Sequence, residues 1–101
     1  METTTIRVLG APTIVRDGRA GVLAGRRHQA VLTLLALEVG RPVDADSLIG
    51  AIWAGDPPTS ARKTLQGLVL RLRRRLPEGA IVTEGSSYRL DVPSSAVDAV
   101  A

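Results

Sequence analysis

Six cations, Arg62, Lys63, Arg71, Arg73, Arg74 and Arg75, stand between Pro57 and Pro77 with no acid among them. A guanidinium donates through a planar fork that matches phosphate oxygens and guanine edges, so such a run suits recognition of a polyanion, not bond-making chemistry. The run is also patterned. At about 100° per residue, Leu65, Leu68, Val69, Leu72 and Leu76 share one stripe, with Ala61 at its edge. Ser60, Lys63, Thr64, Gly67, Arg71 and Arg74 fall opposite, while Arg62, Arg73 and Arg75 flank the stripe. The spacing predicts an amphipathic helix over 59–76, leucine side on its own domain and arginine side toward an anionic partner.

A basic face is often no more than solvated surface. Here three features point beyond that. The cations are nearly all Arg, and within the helix no Asp or Glu stands four residues away to neutralise them. Gly67 lies mid-helix on the polar side, where it costs about 1 kcal/mol relative to Ala. Close approach of a groove wall would account for that glycine, as would chance.

Other chemistry finds little support. His28 is the only histidine and there is no Cys, which leaves no metal-ligand set and no thiol nucleophile. No Gly-x-Ser-x-Gly motif or phosphate-binding glycine loop accompanies them. Asp44 and Asp46 look like paired acids, but helix capping explains both. The expectation is a binding domain with no cofactor and no enzymatic activity. Two aromatic residues, Trp53 and Tyr88, are too few for a platform that stacks single-stranded bases. Trp53 reads as core and Tyr88 as an anchor between a hairpin and the core.

The chain has 101 residues, enough for one domain with a modest core. Its net charge is only +3, but residues 62–75 hold six of the 13 cations, so the remainder sums to −3. A localised stripe implies a partner with a defined footprint. Neither a basic n-region with an apolar core nor a stretch long enough to span a bilayer is visible, so the reading is cytoplasmic, with no membrane partner. Twelve Arg against one Lys, no Asn and abundant Ala suggest a high-GC genome.

The elements that must position the arginine helix follow from the turns. Residues 4–24 read as short strands, bent at Gly10-Ala11-Pro12 and at a tight hairpin, Asp17-Gly18, between 13–16 and 20–23. Residues 26–39 form the most apolar helix, whose Ala30, Val31, Leu34, Leu35 and Leu37 exceed one stripe and imply packing on more than one side. Gly40 caps its end, and Pro42-Val43 adds a short extended piece. Asp44 caps a second helix over 45–54, buried through Leu48, Ile49, Ile52 and Trp53. Gly55-Asp56-Pro57-Pro58 ends it, and Thr59 or Ser60 caps the third. Pro77 stops that helix, and 81–83 and 88–92 form a hairpin around Glu84-Gly85-Ser86-Ser87. Residues 1–93 make the domain and 94–101 a tail. The fold class is α+β: a winged helix-turn-helix with an N-terminal antiparallel sheet, three helices and a C-terminal hairpin wing.

This order resembles the OmpR/PhoB-type winged helix over about residues 5–92. The resemblance is sharper to the Streptomyces antibiotic regulatory proteins of the AfsR/DnrI type. It is carried by Val8-Leu9-Gly10-Ala11-Pro12, by Arg27 through Val43, by Leu48-Ile49 with Trp53, and by Pro57-Pro58 with Ala61. Thr64-Leu65-Gln66, Val69, Leu72-Arg73-Arg74, Leu76 and Tyr88-Arg89-Leu90 complete it. Each motif alone is weak; in order and at these spacings they are fairly specific.

The resemblance implies a transcriptional activator of biosynthetic gene clusters that binds direct repeats of duplex DNA in tandem, head to tail. It also implies contact with RNA polymerase, including its sigma factor, and a helical activation domain that begins near Val97-Asp98-Ala99. Carried over residue by residue, it puts Lys63, Thr64, Gly67, Leu70, Arg71 and Arg74 in the major groove. Apart from Leu70, the helical wheel selects the same residues independently. Arg71 is the best candidate for a guanine or phosphate contact, and Arg74 for a phosphate. Thr64 and Gln66 reach bases or phosphates near the helix start, Arg62 flanks them, and Arg89 is the remaining wing cation. Leu70 departs from the family pattern, and Glu84 with Ser87 replaces a basic residue and glycine at the wing tip. A carboxylate there opposes insertion beside phosphates. These departures keep open a second reading, a winged helix that binds protein and has no DNA site of its own.

Overall fold

A computed structural model describes residues 4–8, 12–16, 19–22 and 25–98. The expected bends at Gly10-Ala11 and Asp17-Gly18 lie outside the described residues, as does Ala99. Strands β1 (Thr4–Arg7), β2 (Thr13–Arg16) and β3 (Arg19–Val22) form an antiparallel meander, with Ile6 opposite Ile14. Ile6 and Ile14 are buried, so one face of this sheet closes the core. Helix α1 (Arg26–Leu37) follows, then β4 (Pro42–Asp44), α2 (Ala45–Ile52) and α3 (Ala61–Arg75). The chain continues with β5 (Ile81–Glu84) and β6 (Ser87–Leu90), a 3-10 turn at Ser94–Ala96, and β7 (Val97–Asp98). This is the winged-helix arrangement expected, with β5 and β6 as the wing.

The expected helix boundaries differ by up to two residues at each end, which is where helices fray. Helix α1 is central: it packs against α2, α3 and β6, and buries Val31, Leu32, Leu35 and Ala36. Its apolar residues do not all find cover, however. Ala30 and Leu34 are half-buried, and Leu37 is 60% exposed. Gly40 takes the left-handed φ of 82° expected of a residue just past a helix end. Asp44 caps α2 as expected, its Oδ2 accepting from the Asp46 amide at 3.1 Å. Ser60 occupies the N-cap of α3 but its side chain makes no capping bond. The connection between α2 and α3 is the whole of 53–60, longer than the Gly/Pro turn alone, and turns through Ala54 (φ 50°) and Gly55 (φ 86°).

Two pairings tie the wing and the C-terminal end to the rest. The extended piece at Pro42-Val43 is a true strand: β4 pairs antiparallel with β6, giving a three-stranded sheet in the order β4-β6-β5. Residues 94–98, expected to be tail, instead return to the first sheet. There β7 pairs parallel with β1, Val97 opposite Ile6, and completes the order β3-β2-β1-β7. Two residues carry no periodicity, so the signal for β7 lies in the open edge of β1 and not in its own sequence.

Candidate nucleic-acid interface

The stripe on α3 is buried as its spacing demands. Ala61, Leu65, Leu68, Val69, Leu72 and Leu76 are all at most 6% exposed and join a single core with Leu32, Leu35, Leu48 and Leu90. Burying four leucines and a valine stabilises the docked helix by several kcal/mol, at roughly 1.5–3 kcal/mol per side chain. Anchoring on that scale fixes which side faces outward.

That outward side carries the sequence-selected residues. Arg62, Lys63, Gln66, Gly67, Leu70, Arg71 and Arg74 are exposed and Thr64 is half-buried, so the structure brings all eight to one helix. Leu70 is 50% exposed, an apolar side chain standing among cations. At Gly67 an added Cβ would meet no atom within 4 Å, so nothing in the domain itself requires glycine there.

The cations divide by partner. Among the described residues, Lys63, Arg71 and Arg74 form no hydrogen bond or ion pair. Arg62 does: its Nη2 lies 2.6 Å from Oδ1 of Asp46, in the first turn of α2. The absence of acids within α3 therefore did not leave every cation unpaired. Arg73 turns back to the wing, donating from Nε to the Ile81 carbonyl at 3.3 Å and from Nη2 to Thr83 Oγ1 at 2.6 Å. Arg75 lies over the first sheet; a Cβ on Gly21 would fall 2.6 Å from its Nη2. Three of the six cations, Arg62, Arg73 and Arg75, thus reach across to neighbouring elements.

Arg89 stands apart from the α3 set. It points away from the core, as its alternation with half-buried Tyr88 and buried Leu90 requires. Its Nε lies 2.7 Å from Glu84 Oε1 and its Nη1 3.1 Å from Asp91 Oδ1. The hydrogen bond that Arg89 donates to Glu84, above all, raises the guanidinium above its ordinary pKa. Glu84 at the wing tip is therefore a paired carboxylate. The tip itself is a two-residue turn, Glu84 opposite Ser87, with Gly85 at φ 58° in the first central position. It is fastened to the start of α2 by the Ala45 amide donating to the Ser86 carbonyl at 2.9 Å.

His28, in the first turn of α1, sits near the other half of α3. Burial first, and the Arg71 guanidinium second, hold its imidazole below the ordinary 6.5. Its Nε2 is buried without a hydrogen-bond partner among the described residues. Trp53 packs on the core and carries Arg27 over its ring at 5.3 Å, a cation–π contact.

Compared with known proteins, the chain is 38% identical over 72 residues to regulatory protein AfsR of Streptomyces griseus, covering 71% of the chain and 7% of AfsR. It is 34% identical over 83 residues to regulatory protein DnrI of Streptomyces peucetius, covering 82% of the chain and 29% of DnrI. Among solved structures it superposes on Mycobacterium tuberculosis EmbR, in complex with a low-affinity phosphopeptide, with a TM-score of 0.89 at 28% identity. That match covers 96% of the chain and 27% of EmbR. Its relatives are regulators of the AfsR/DnrI type, and its fold is the OmpR/PhoB-type winged helix.

The DNA-binding domain of Escherichia coli CadC shares the fold, with a TM-score of 0.61 at 24% identity over 92% of the chain and 96% of that domain. No family model matches. The chain spans 7% to 29% of the length of the curated relatives it matches. Sequence reasoning missed Asp46, Thr83, Glu84 and Asp91 as partners of the arginines. Only Asp46 had a signal, since two acids at one helix start exceed what a single cap uses.

Proposed function

We propose that this winged helix binds double-stranded DNA in a sequence-specific way and serves a transcriptional activator, with α3 lying in the major groove. One observation carries the reading: Lys63, Arg71 and Arg74 stand exposed, and unpaired among the described residues, on a helix whose opposite side is locked into the core. A helix held this firmly can present cations to a phosphate lattice without paying for its own ordering. Arg71 reads a guanine or holds a phosphate, and Arg74 and Lys63 hold phosphates. Thr64, Gln66 and Gly67 face the groove floor, with Leu70 against a sugar or a thymine methyl. Arg62 and Arg89 reach the backbone only by leaving their carboxylates.

The same reading places the protein in the cytoplasm on the nucleoid, at promoters of biosynthetic genes. There two copies would bind direct repeats head to tail and contact RNA polymerase through its sigma factor. What supports these finer points is kinship with AfsR and DnrI. A second reading, a protein-binding winged helix without a DNA site, is favoured by one observation, the 50% exposure of Leu70 on the same face. Electrophoretic shifts on promoter fragments with competitor DNA separate the two. Retention that weakens steeply with salt supports DNA binding, and absent or salt-insensitive retention supports the rival. Selection from a random duplex pool then yields the operator, and repeats one helical turn apart would support tandem docking.

A further inference from the structure

Two cations outside the unpaired set, Arg62 at the start of α3 and Arg89 on the wing strand β6, are each held by carboxylates. Asp46 holds Arg62 at 2.6 Å, with side chains 72% and 61% exposed. Glu84 and Asp91 hold Arg89 at 2.7 and 3.1 Å. The Asp46–Arg62 pair adds little to folding beyond the first-turn acid that Asp46 supplies to α2, and Arg89, 24% exposed, holds two carboxylates where one would pair its charge. Exposed ion pairs contribute little to folding, because water screens them and long side chains must be ordered. Asp46 is not the cap of α2 either; Asp44 fills that role. Beside an arginine of α3, the Asp46 carboxylate works against affinity for a polyanion, as Glu84 and Asp91 do beside the wing arginine.

We propose that Asp46 and Glu84 withhold Arg62 and Arg89 from loosely docked DNA and so set how sharply the domain discriminates between its operator and random duplex. The inference rests on the DNA-binding reading above. On random sequence an arginine gains a phosphate only by giving up its carboxylate, and it leaves that carboxylate unpaired beside a polyanion. The exchange yields almost nothing. On an operator, α3 seats fully, the phosphate is presented at hydrogen-bonding distance in fixed geometry, and the exchange goes forward. The unpaired Lys63, Arg71 and Arg74 then supply attraction to any duplex, while the guarded pair responds to fit. Such division lets a small domain search without being trapped.

The test is the salt dependence of binding by the whole chain to a random-sequence duplex and to the tightest duplex selected from a pool. The variants are Asp46→Asn and the double change Glu84→Gln with Asp91→Asn, since either wing acid alone still holds Arg89. Each freed arginine should steepen the slope of log K against log salt on random duplex by about 0.9. Over a fourfold salt range that is an extra loss of about 3.5-fold. The selected duplex, where the arginine is already engaged, should show an unchanged slope, so the preference for it falls at low salt. Asp46→Asn in an Arg62→Gln background should do nothing, which excludes a general effect of net charge. Thermal melts of each variant check that the fold is intact. An unchanged random-duplex slope for both variants, beside a salt-dependent wild type, overturns the proposal and leaves the DNA-binding reading standing. A wild-type chain with no salt-dependent retention on any duplex overturns both.

Discussion

Gly67→Ala separates folding from function by moving them in opposite directions. Gly67 sits in the interior of α3 with helical backbone, and a built Cβ meets nothing within 4 Å. Alanine there therefore costs no strain and removes the entropic penalty of glycine, stabilising the fold by about 0.4–1 kcal/mol. For a domain of this size that is a rise of about 2–8 °C in Tm. Binding should respond the other way. The new methyl points from the face that also carries Lys63, Arg71 and Arg74, where a groove wall would have to withdraw to admit it. A tenfold loss corresponds to about 1.4 kcal/mol, and a loss on that scale or larger is expected on the selected duplex. The assays are a thermal melt and a fluorescence-anisotropy titration on the same preparation. A variant that melts higher and binds as tightly as wild type refutes close approach of DNA at Gly67. One that melts lower refutes the assignment of this face as open.

Other expectations follow from the same geometry. Arg71→Ala should weaken the selected duplex by about 1–3 kcal/mol and relax the preference at one base position, whereas Arg74→Ala should weaken all duplexes alike and lower the salt slope by about one. Competition titrations against single-base operator variants distinguish these outcomes. His28 is held below its ordinary 6.5 when folded. The unfolded chain thus takes up its proton first, and the stability it contributes is present above that value and lost as pH falls. From about pH 7.5 to about 5.5, wild-type Tm should fall further than that of His28→Gln; equal falls would contradict the assignment. Leu72→Ala, at a position with no exposure, should cost about 2–5 kcal/mol in denaturant titration. Leu70→Ala should change stability by less than about 0.5 kcal/mol.

The sequence exposed the parts of this domain whose signals are local. Helix α3 was legible because five apolar residues recur at helical spacing, and their burial left only one side available. The cap at Asp44 and the ends at Gly40 and Pro77 are likewise written into two or three residues each. What was not legible depends on neighbours far along the chain. Nothing near Arg62 announces that Asp46, sixteen residues earlier, will hold it, and Arg73 and Arg74 look alike until β5 supplies Thr83 to one of them. Leu37 looked like core because a helical wheel records hydrophobicity and not whether a partner is present. The pairing of Val97 with Ile6 could not be read at all: two residues have no pattern, and the edge they join is at the opposite end of the sequence.

The central claim is that α3 meets duplex DNA through the side bearing Lys63, Gly67, Arg71 and Arg74. A titration of the isotope-labelled chain with its selected duplex, followed amide by amide in NMR spectra, tests it residue by residue. The account predicts that shifts concentrate at 62–74 and at the start of α2, while the first sheet and the end of α1 around Leu37 stay still. Shifts centred on Leu37 or the first sheet, with α3 unmoved, would contradict it.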